Sequence, residues 1–507
     1  MRALRIKRTS EMATPLITRP RILSSALLLL SILITTAASP QNRFAARGQP
    51  RPNFLLLLSD DQTFRTLECL HELEVRTPNL DRLAARGTLF THCFNQGGWS
   101  GAVCIPSRTM LNTGRTVWNS RNGTNNSGIA QGAALWGETL GRTGYDTFMA
   151  GKWHIPDAAL KRSFNILGPL TGGFLPSTTN GGAAYFRPAP GNPWTPDDPQ
   201  WRGHWIQTNG QTIHSSVLIA NAAIGYLRTN AAKSANPFFM YIGFNAPHDP
   251  RQAPREFLDL YPARKLKLPP NFLPEHPFLI EAGKGGRDEI LAPYPRTPDV
   301  ISVHLQEYYA MITHLDAQIG RVLDALKASG KEENTIVIFT SDQGLALGQH
   351  GLMGKQSIYD HSLRIPFIMA GPGIAKENRS DALFNMQSLF ATTCEMAGTR
   401  VPETVQFPSI VPLITGEKKQ LNEALYCAFL DRQRGVRTRD WKLIRTPPSG
   451  QVQLFDVKND PWEMHNLATD PKHATTLASL DETLRRLMAE MNDPMKPEKL
   501  FGAPPAR

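Results

Sequence analysis

Two short apolar runs that end in oxygen-bearing side chains constrain this chain more than any other feature. Asn53-Phe54-Leu55-Leu56-Leu57-Leu58 stops at Ser59-Asp60-Asp61-Gln62. Asn334-Thr335-Ile336-Val337-Ile338-Phe339-Thr340 stops at Ser341-Asp342-Gln343-Gly344. Runs of this length and apolarity predict strands buried inside a sheet. A buried strand that ends in carboxylates presents them at the sheet's C-terminal edge, where open α/β sheets bind ligands. Between these runs, strand-like and helical stretches alternate, which predicts an α/β fold with a large, mostly parallel sheet flanked by helices.

The helical pattern is clearest from Pro78 to Arg86, with Leu80, Leu83 and Ala84 at apolar spacing, and from about Val303 to Ser329, through Tyr308, Ile312, Leu315, Ile319, Val322 and Leu323. After about Gly416 the texture changes to short strand-like segments: Ala424–Phe429, Gly435–Thr438, Trp441–Ile444 and Gln453–Val457. A helix from Ala474 to Met491 follows, so the expectation is a smaller C-terminal α+β subdomain with an antiparallel sheet. The expected division is a leader over 1–39, a catalytic region over 50–416 and the subdomain over 417–507.

The strand ends carry a definite chemistry. Three carboxylates (Asp60, Asp61, Asp342) and the Gln343 amide oxygen form a hard, oxygen-rich set that suits Ca²⁺ or Mg²⁺ rather than zinc. Cys104 is followed two positions on by Pro106, a residue that favours the first turn of a helix, so Cys104 is expected near a helix N-terminus. Free N–H groups and the positive dipole end converge there, which suits a nucleophile that must attack an anion. Arg108, about one turn on, can hold an oxyanion in its planar fork. Lys152 and His154 follow the strand-like run Tyr145–Ala150, His248 follows Pro237–Gly243, and Lys355 lies beyond the Asp342 turn. Histidine suits proton transfer because its ordinary pKa lies near neutrality.

Cys104-Ile105-Pro106-Ser107-Arg108, with Thr113-Gly114-Arg115 at fixed spacing, resembles the sulfatase signature Cys-x-Pro-Ser-Arg-x-x-x-Leu-Thr-Gly-Arg. Asn112 stands where leucine is usual. The resemblance runs from Asn53 to about Leu467, including Asp460–Leu467. It is strongest toward iduronate-sulfatase-like members in Asn245-Ala246-Pro247-His248 and Ala346–Gly351. It implies an alkaline phosphatase-like fold and a Cys104 oxidised after synthesis to formylglycine by a formylglycine-generating enzyme. It further implies one divalent ion, usually Ca²⁺, held by Asp60, Asp61, Asp342, Gln343 and the modified Cys104. Gln343 departs from the more frequent Asn or His. By the same resemblance Lys152 and Lys355 bind sulfate oxygens, His154 helps deprotonate a formylglycine hydroxyl, and His248 gives a proton to the departing alcohol. His350 is expected as a neighbour of the site, a substrate contact or a turn residue.

The implied activity is hydrolysis of a sulfate monoester, with a sulfated carbohydrate as the expected substrate. A phosphonate or phosphate-ester hydrolase sharing this site is one alternative, and a glycan-binding protein with a degenerate site is another.

Arg2, Arg5, Lys7, Arg8, Arg19 and Arg21 precede an apolar stretch from Ile22 to Ile34 and the small residues Thr36–Ser39. This reads as a secretory signal, with Met12 as an alternative start and an uncleaved anchor as the other interpretation. The stretch is short for a membrane span, so the expected location is periplasmic or secreted. The net charge of +11 falls to about +6 without those six basic residues and Glu11, which fits an anionic substrate. No basic helix or aromatic-basic motif points to nucleic acid. If Cys104 is consumed by modification, Cys69, Cys93, Cys394 and Cys427 remain, and their pairing is not legible in the sequence. Two irregular segments, Gly172–Trp205 and Tyr261–Asp299, are expected to border the pocket. There Trp194, Trp201, Trp205, Arg264, Lys265 and Lys267 are candidates for sugar stacking or anion contacts.

Overall fold

The Asn53–Ser59 run forms a central strand of an eight-stranded sheet. In spatial order the strands are Asn378–Ser380, Gly87–Phe90, Phe367–Ala370, Thr335–Ser341, Asn53–Ser59, Phe238–Gly243, Asp146–Lys152 and Ile166–Thr171. Asn53–Ser59 pairs in parallel on both sides, with Thr335–Ser341 and with Phe238–Gly243, and every one of its residues is buried. A strand covered on both faces reads as a continuous apolar run, which is why its sequence shows no polar alternation. Phe367–Ala370 alone in this sheet runs against both of its neighbours.

This computed structural model describes residues 50–122, 128–172, 183–201, 203–278 and 288–501. The expected leader over 1–39 and parts of the two irregular segments lie outside the described residues. No helix among the described residues is long and apolar enough to cross a membrane. Cys69, Cys93, Cys104, Cys394 and Cys427 are each unbonded to one another.

Two apolar layers enclose the sheet, and alternate side chains of one strand feed each. Leu55 and Leu57 join one layer with Met240, Ile242, Val337 and Phe339. Phe54, Leu56 and Leu58 join the other with Phe239, Tyr241, Ile336 and Ile338. The first layer is closed by a 31-residue helix, Pro298–Ala328, through Leu305, Tyr308, Ile312, Leu315 and Ile319. That helix starts earlier than its apolar spacing suggests. Thr297 caps it by accepting from the Val300 N–H at 3.3 Å, and Pro298 occupies the first turn. One turn beyond Ile312, Asp316 accepts hydrogen bonds from the N–H groups of Asn79 (3.1 Å) and Leu80 (2.8 Å), fixing the start of the Pro78–Ala85 helix. The second layer is closed by Trp136 and Leu140 of Trp136–Arg142 and by Leu389 and Phe390 of Ser388–Met396.

The C-terminal region forms the expected antiparallel sheet from Ala424–Phe429, Gln433–Thr438, Trp441–Thr446 and Gln451–Asp456. The helix Ala474–Glu490 covers it with Leu480, Leu484, Leu487 and Met488. Its fifth strand is the two-residue Gly97–Gly98, which pairs in parallel with Ala428 and Phe429. A side chain at Gly97 (φ +96°) would strike the Ala428 carbonyl, so this close approach requires glycine. The C-terminal sheet thereby grips the chain a few residues before Cys104.

Candidate active site

Asp60 and Asp61 leave the end of one strand, Asp342 and Gln343 the end of its parallel neighbour, and Ser59 and Ser341 stand opposite each other in register. Cys104 is the first residue of the helix Cys104–Thr113. Its Sγ lies 3.3 Å from Asp60 Oδ1 and 3.7 Å from Asp61 Oδ1, and Lys355 Nζ approaches it at 3.2 Å. Arg108, one turn along, donates from Nε to Asp342 Oδ2 (2.8 Å), from Nη1 to the Lys152 carbonyl (2.6 Å) and from Nη2 to Asp60 Oδ2 (3.2 Å). Lys152 pairs with Asp60, and Lys355 donates to Asp61 Oδ1 at 2.6 Å. Three acids and three bases thus face one another with almost no exposure. Such a cluster persists in low dielectric only when each charge has a partner.

The electrostatics follow from this packing. Burial would raise the Asp60 carboxyl, but Lys152 and then Arg108 hold it well below the usual carboxylate range. Burial would lower the Lys355 ammonium, but Asp61 and then Cys104 push it well above the usual lysine range. Burial, then Asp342 and Asp60, push the Cys104 thiol well above its ordinary value. An unmodified cysteine here is held as S–H, the wrong state for a thiolate nucleophile.

His248 Nδ1 meets the Asp249 carbonyl at 2.6 Å, which assigns its N–H to Nδ1 and turns Nε2 toward Asp61, 3.6 Å away. Burial, then Lys355 and Lys152, lower its pKa well below that of free histidine. His154, half-buried with φ +63°, stands two residues after Lys152. Burial, then Lys152 and Arg108, take its pKa down to about 3.

The ligand atoms of Asp60, Asp61, Cys104 and His248 lie within 4.8 Å of one another, a spacing that suits a metal ion. The structure draws His248 into this tight group; Asp342 is tied to Arg108 and to the Asp61 N–H at 3.2 Å, just as Asp60 is tied to Arg108 and Lys152 and Asp61 to Lys355, and a carboxylate so bonded keeps lone pairs for a cation. Gln343 is the residue that points most directly to a bound group. Its side chain is fully buried, and neither its oxygen nor its nitrogen has a hydrogen-bond partner among the described residues. Leaving such an atom unsatisfied costs about 1–3 kcal/mol. A hard cation taking the amide oxygen would remove half of that cost; the Asp60 and Asp61 carboxylates are oxygen donors of the type such a cation prefers, whereas the Cys104 sulfur and the His248 nitrogen are not.

Several positioning residues had little or no signal in the sequence. Tyr308, on the long helix, donates to the Asp61 carbonyl (2.6 Å) and accepts from the Thr63 N–H (3.0 Å), holding Asp61 at φ +68°. Ser107 Oγ (2.7 Å) and Asn95 Nδ2 (2.9 Å) both donate to the Asp342 carbonyl. Ser341 Oγ accepts from the Gln62 N–H at 2.9 Å. Glu289 accepts from the N–H groups of Met353 (3.0 Å) and Gly354 (3.0 Å), fixing the loop that delivers Lys355. Ser107 lies inside the cysteine motif and was legible there. The others are side chains in helices and loops that only the fold brings near.

Other candidates lie apart. His350 stacks on Tyr359 (4.1 Å between rings) and meets Asn271 Nδ2 at 3.1 Å, against the C-terminal sheet. Trp201 is buried and donates to Thr195, and Trp205 packs edge-on to His214. Trp194 is half-buried under Arg187. Arg264, Lys265 and Lys267 are exposed, and Lys267 faces Glu74. None of these makes a hydrogen bond or ion pair with the strand-end cluster among the described residues.

Comparison with known proteins places this geometry. The family model described as sulfatase matches residues 52–399, and the model described as N-sulphoglucosamine sulphohydrolase, C-terminal, matches residues 348–490. The chain is 26% identical to an N-acetylglucosamine-6-O-sulfatase of Bacteroides thetaiotaomicron, over 93% of this chain and 91% of that protein. It is 27% identical to mouse iduronate 2-sulfatase, over 82% of this chain and 80% of that protein. A solved structure described as a complex with its substrate D-glucosamine-2-N,6-O-disulfate superposes with a TM-score of 0.69 at 23% identity, covering 89% of this chain and all of that one.

Proposed function

The chain belongs to the sulfatase family and is a sulfuric ester hydrolase; from that premise we propose that it is an exported enzyme that removes sulfate from a carbohydrate, using formylglycine made from Cys104. One observation carries the reading. Cys104 begins a helix at the place where two strand-end aspartates, a lysine and an anchored arginine converge without solvent. The carbohydrate part is supported by relatives named for N-acetylglucosamine 6-O-sulfate and iduronate 2-sulfate esters. Export is supported by the basic and apolar pattern of the first 39 residues.

Asp60, Asp61, Asp342 and Gln343 would hold a divalent cation, Ca²⁺ or else Mg²⁺, with residue 104 beside it. Such an ion supplies Lewis-acid screening of a sulfate oxygen, and a hydrated formylglycine supplies the hydroxyl that attacks sulfur. The chain's own residues set the rest. Arg108 cannot swing away, because Asp342, Asp60 and the Lys152 carbonyl fix its three nitrogens, so its charge is pre-aimed at the helix start. Lys152 and Lys355, paired here with Asp60 and Asp61, are the cations within reach of residue 104 that would bind ester oxygens. His248, its Nδ1–H tied to the Asp249 carbonyl, presents Nε2 to carry a proton to the departing alcohol oxygen. His154 stands beside Lys152 to take a proton from residue 104.

The test is peptide mass spectrometry across residue 104 of protein from its native host. A loss of about 18 Da marks conversion of thiol to aldehyde. The converted protein is expected to turn over aryl sulfates faster than the matching phosphonates. An unmodified thiol in a fully active enzyme, or a clear phosphonate preference, would overturn the proposal.

A further inference from the structure

A second charged feature opens on the same edge of the main sheet. The Gly87–Phe90 strand runs in the same direction as Thr335–Ser341, because the strand between them is antiparallel to both. Its end, at Thr91 and His92, therefore lies at the same edge as Asp342, two strand spacings or about 10 Å to the side. There Arg65, Arg364, Arg439 and Lys458, against two acids, Glu72 and Asp440, line a groove of about 610 Å³, within the size range of small-ligand sites.

The groove is built rather than incidental. Arg65 lies over the Trp462 ring at 3.8 Å and near the Phe64 ring at 4.7 Å, while Arg364 covers Phe64 at 3.6 Å. Trp462, Arg65, Phe64 and Arg364 form one stack that fixes two guanidinium groups in place. Arg65 is matched by Glu72 and the Pro461 carbonyl. Arg364 is not matched: its Nε donates to the Thr91 carbonyl at 2.6 Å, and its two terminal nitrogens make no hydrogen bond among the described residues. Asp360, the acid whose charge acts on it, makes no ion pair with it and is already held by Arg437 and Lys442. Burial, opposed by Asp360 and reinforced by Arg437 and Arg65, pulls the Arg364 pKa well below the usual arginine range. A half-buried cation with free donors in a basic groove is an arrangement that an anion stabilises.

We propose that this groove is a second binding site of the enzyme, taking a sulfate or carboxylate group on a neighbouring unit of the same glycan chain while another ester lies at Cys104. Arg364 supplies the paired donors, and Lys458 lines the approach together with Arg439, which also pairs with Asp381. This rests on the carbohydrate reading above, and the binding measurement below needs no turnover, so the two stand or fall separately.

The experiment uses the full chain with Cys104→Ala, titrated calorimetrically with a heparin-derived sulfated hexasaccharide and with glucosamine 6-sulfate. Arg364→Met added to that background is expected to weaken the hexasaccharide at least about tenfold, as loss of a charge-assisted pair does, and to leave the monosaccharide unchanged. Because Arg364 also packs on Phe64, Arg439→Ala with Lys458→Ala gives a purely surface version, expected to weaken the hexasaccharide about threefold. Equal loss for both ligands in Arg364→Met would assign that residue a structural role and overturn the proposal. So would unchanged hexasaccharide affinity in both variants, or no hexasaccharide binding by the Cys104→Ala protein itself.

Discussion

Two buried ionic clusters stand close together in this molecule, and they are built on opposite principles. At the seam with the C-terminal sheet, Asp360 is held by Arg437 (3.1 Å) and Lys442 (2.7 Å), and Lys442 also reaches Glu463 (2.8 Å). The Asp360 N–H donates to Glu463 at 2.8 Å, so the cluster closes on itself. Burial would raise the Asp360 carboxyl, but Arg437 and then Lys442 hold it well below the carboxylate range. The strand-end cluster is equally buried but is left open. Gln343 has no partner there, Asp61 sits in a strained left-handed conformation, and a thiol faces two carboxylates. A closed network stabilises a seam; an open one is held in readiness for something else.

Substitutions can break that contrast or sharpen it. The largest effect is expected from Cys104→Ala, which should reduce kcat by a factor of at least about 10⁴ while leaving the melting temperature near its starting value. Undiminished turnover would remove Cys104 from the chemistry. Asp360→Asn should do the reverse. It leaves Arg437 and Lys442 under-compensated and is expected to cost about 3–5 kcal/mol in denaturant unfolding, with KM of the surviving folded enzyme unchanged. A loss of activity without a loss of stability would mean the seam is not a purely structural cluster.

Gln343→Met discriminates between the clusters most directly. Replacing a buried, unpartnered amide by a thioether of similar size should stabilise the cation-free protein by about 1 kcal/mol. Calorimetric Ca²⁺ affinity should fall about 10–100-fold at the same time. Destabilisation of the cation-free protein would show that the amide has a structural partner after all. Tyr308→Phe removes one donor and one acceptor at the Asp61 turn and should cost about 1–2 kcal/mol, with a fall in kcat but little change in KM. Equal scaling of kcat and stability across a Tyr308 series would argue against a positioning role.

The smallest and most gradual effect is that of acid. His276 and His350 contact Tyr359 at the seam, and burial takes their pKa values to about 4 and about 3, from an ordinary value of 6.5. Below 6.5 the unfolded chain binds protons that the folded chain refuses, so stability is full above that pH and declines as pH falls toward 4 and 3. Unfolding free energy measured across pH 7 to 4 should fall, and His350→Phe should flatten the slope. A slope unchanged by that substitution would exclude His350 as a contributor.

Much of this molecule is legible along the chain. The buried strands, the carboxylates at their ends, the helix that starts at Cys104 and the antiparallel C-terminal segments all follow from local apolar spacing and turn chemistry, which act over a few residues. Asp60, Asp61, Arg108, Lys152, His248, Asp342 and Lys355 meet in one contact network, as their positions at strand ends and loops led one to expect. Only the tertiary structure could show that Tyr308 holds Asp61, that Glu289 fixes the Lys355 loop and that Gly97–Gly98 completes the C-terminal sheet. It alone places His248 in the compact donor group and ties Asp342 to Arg108 and the Asp61 N–H. Those contacts join residues scores to hundreds of positions apart. Their partners are chosen by the closing of the sheet and the burial of its two faces, and no local pattern of side chains encodes that choice.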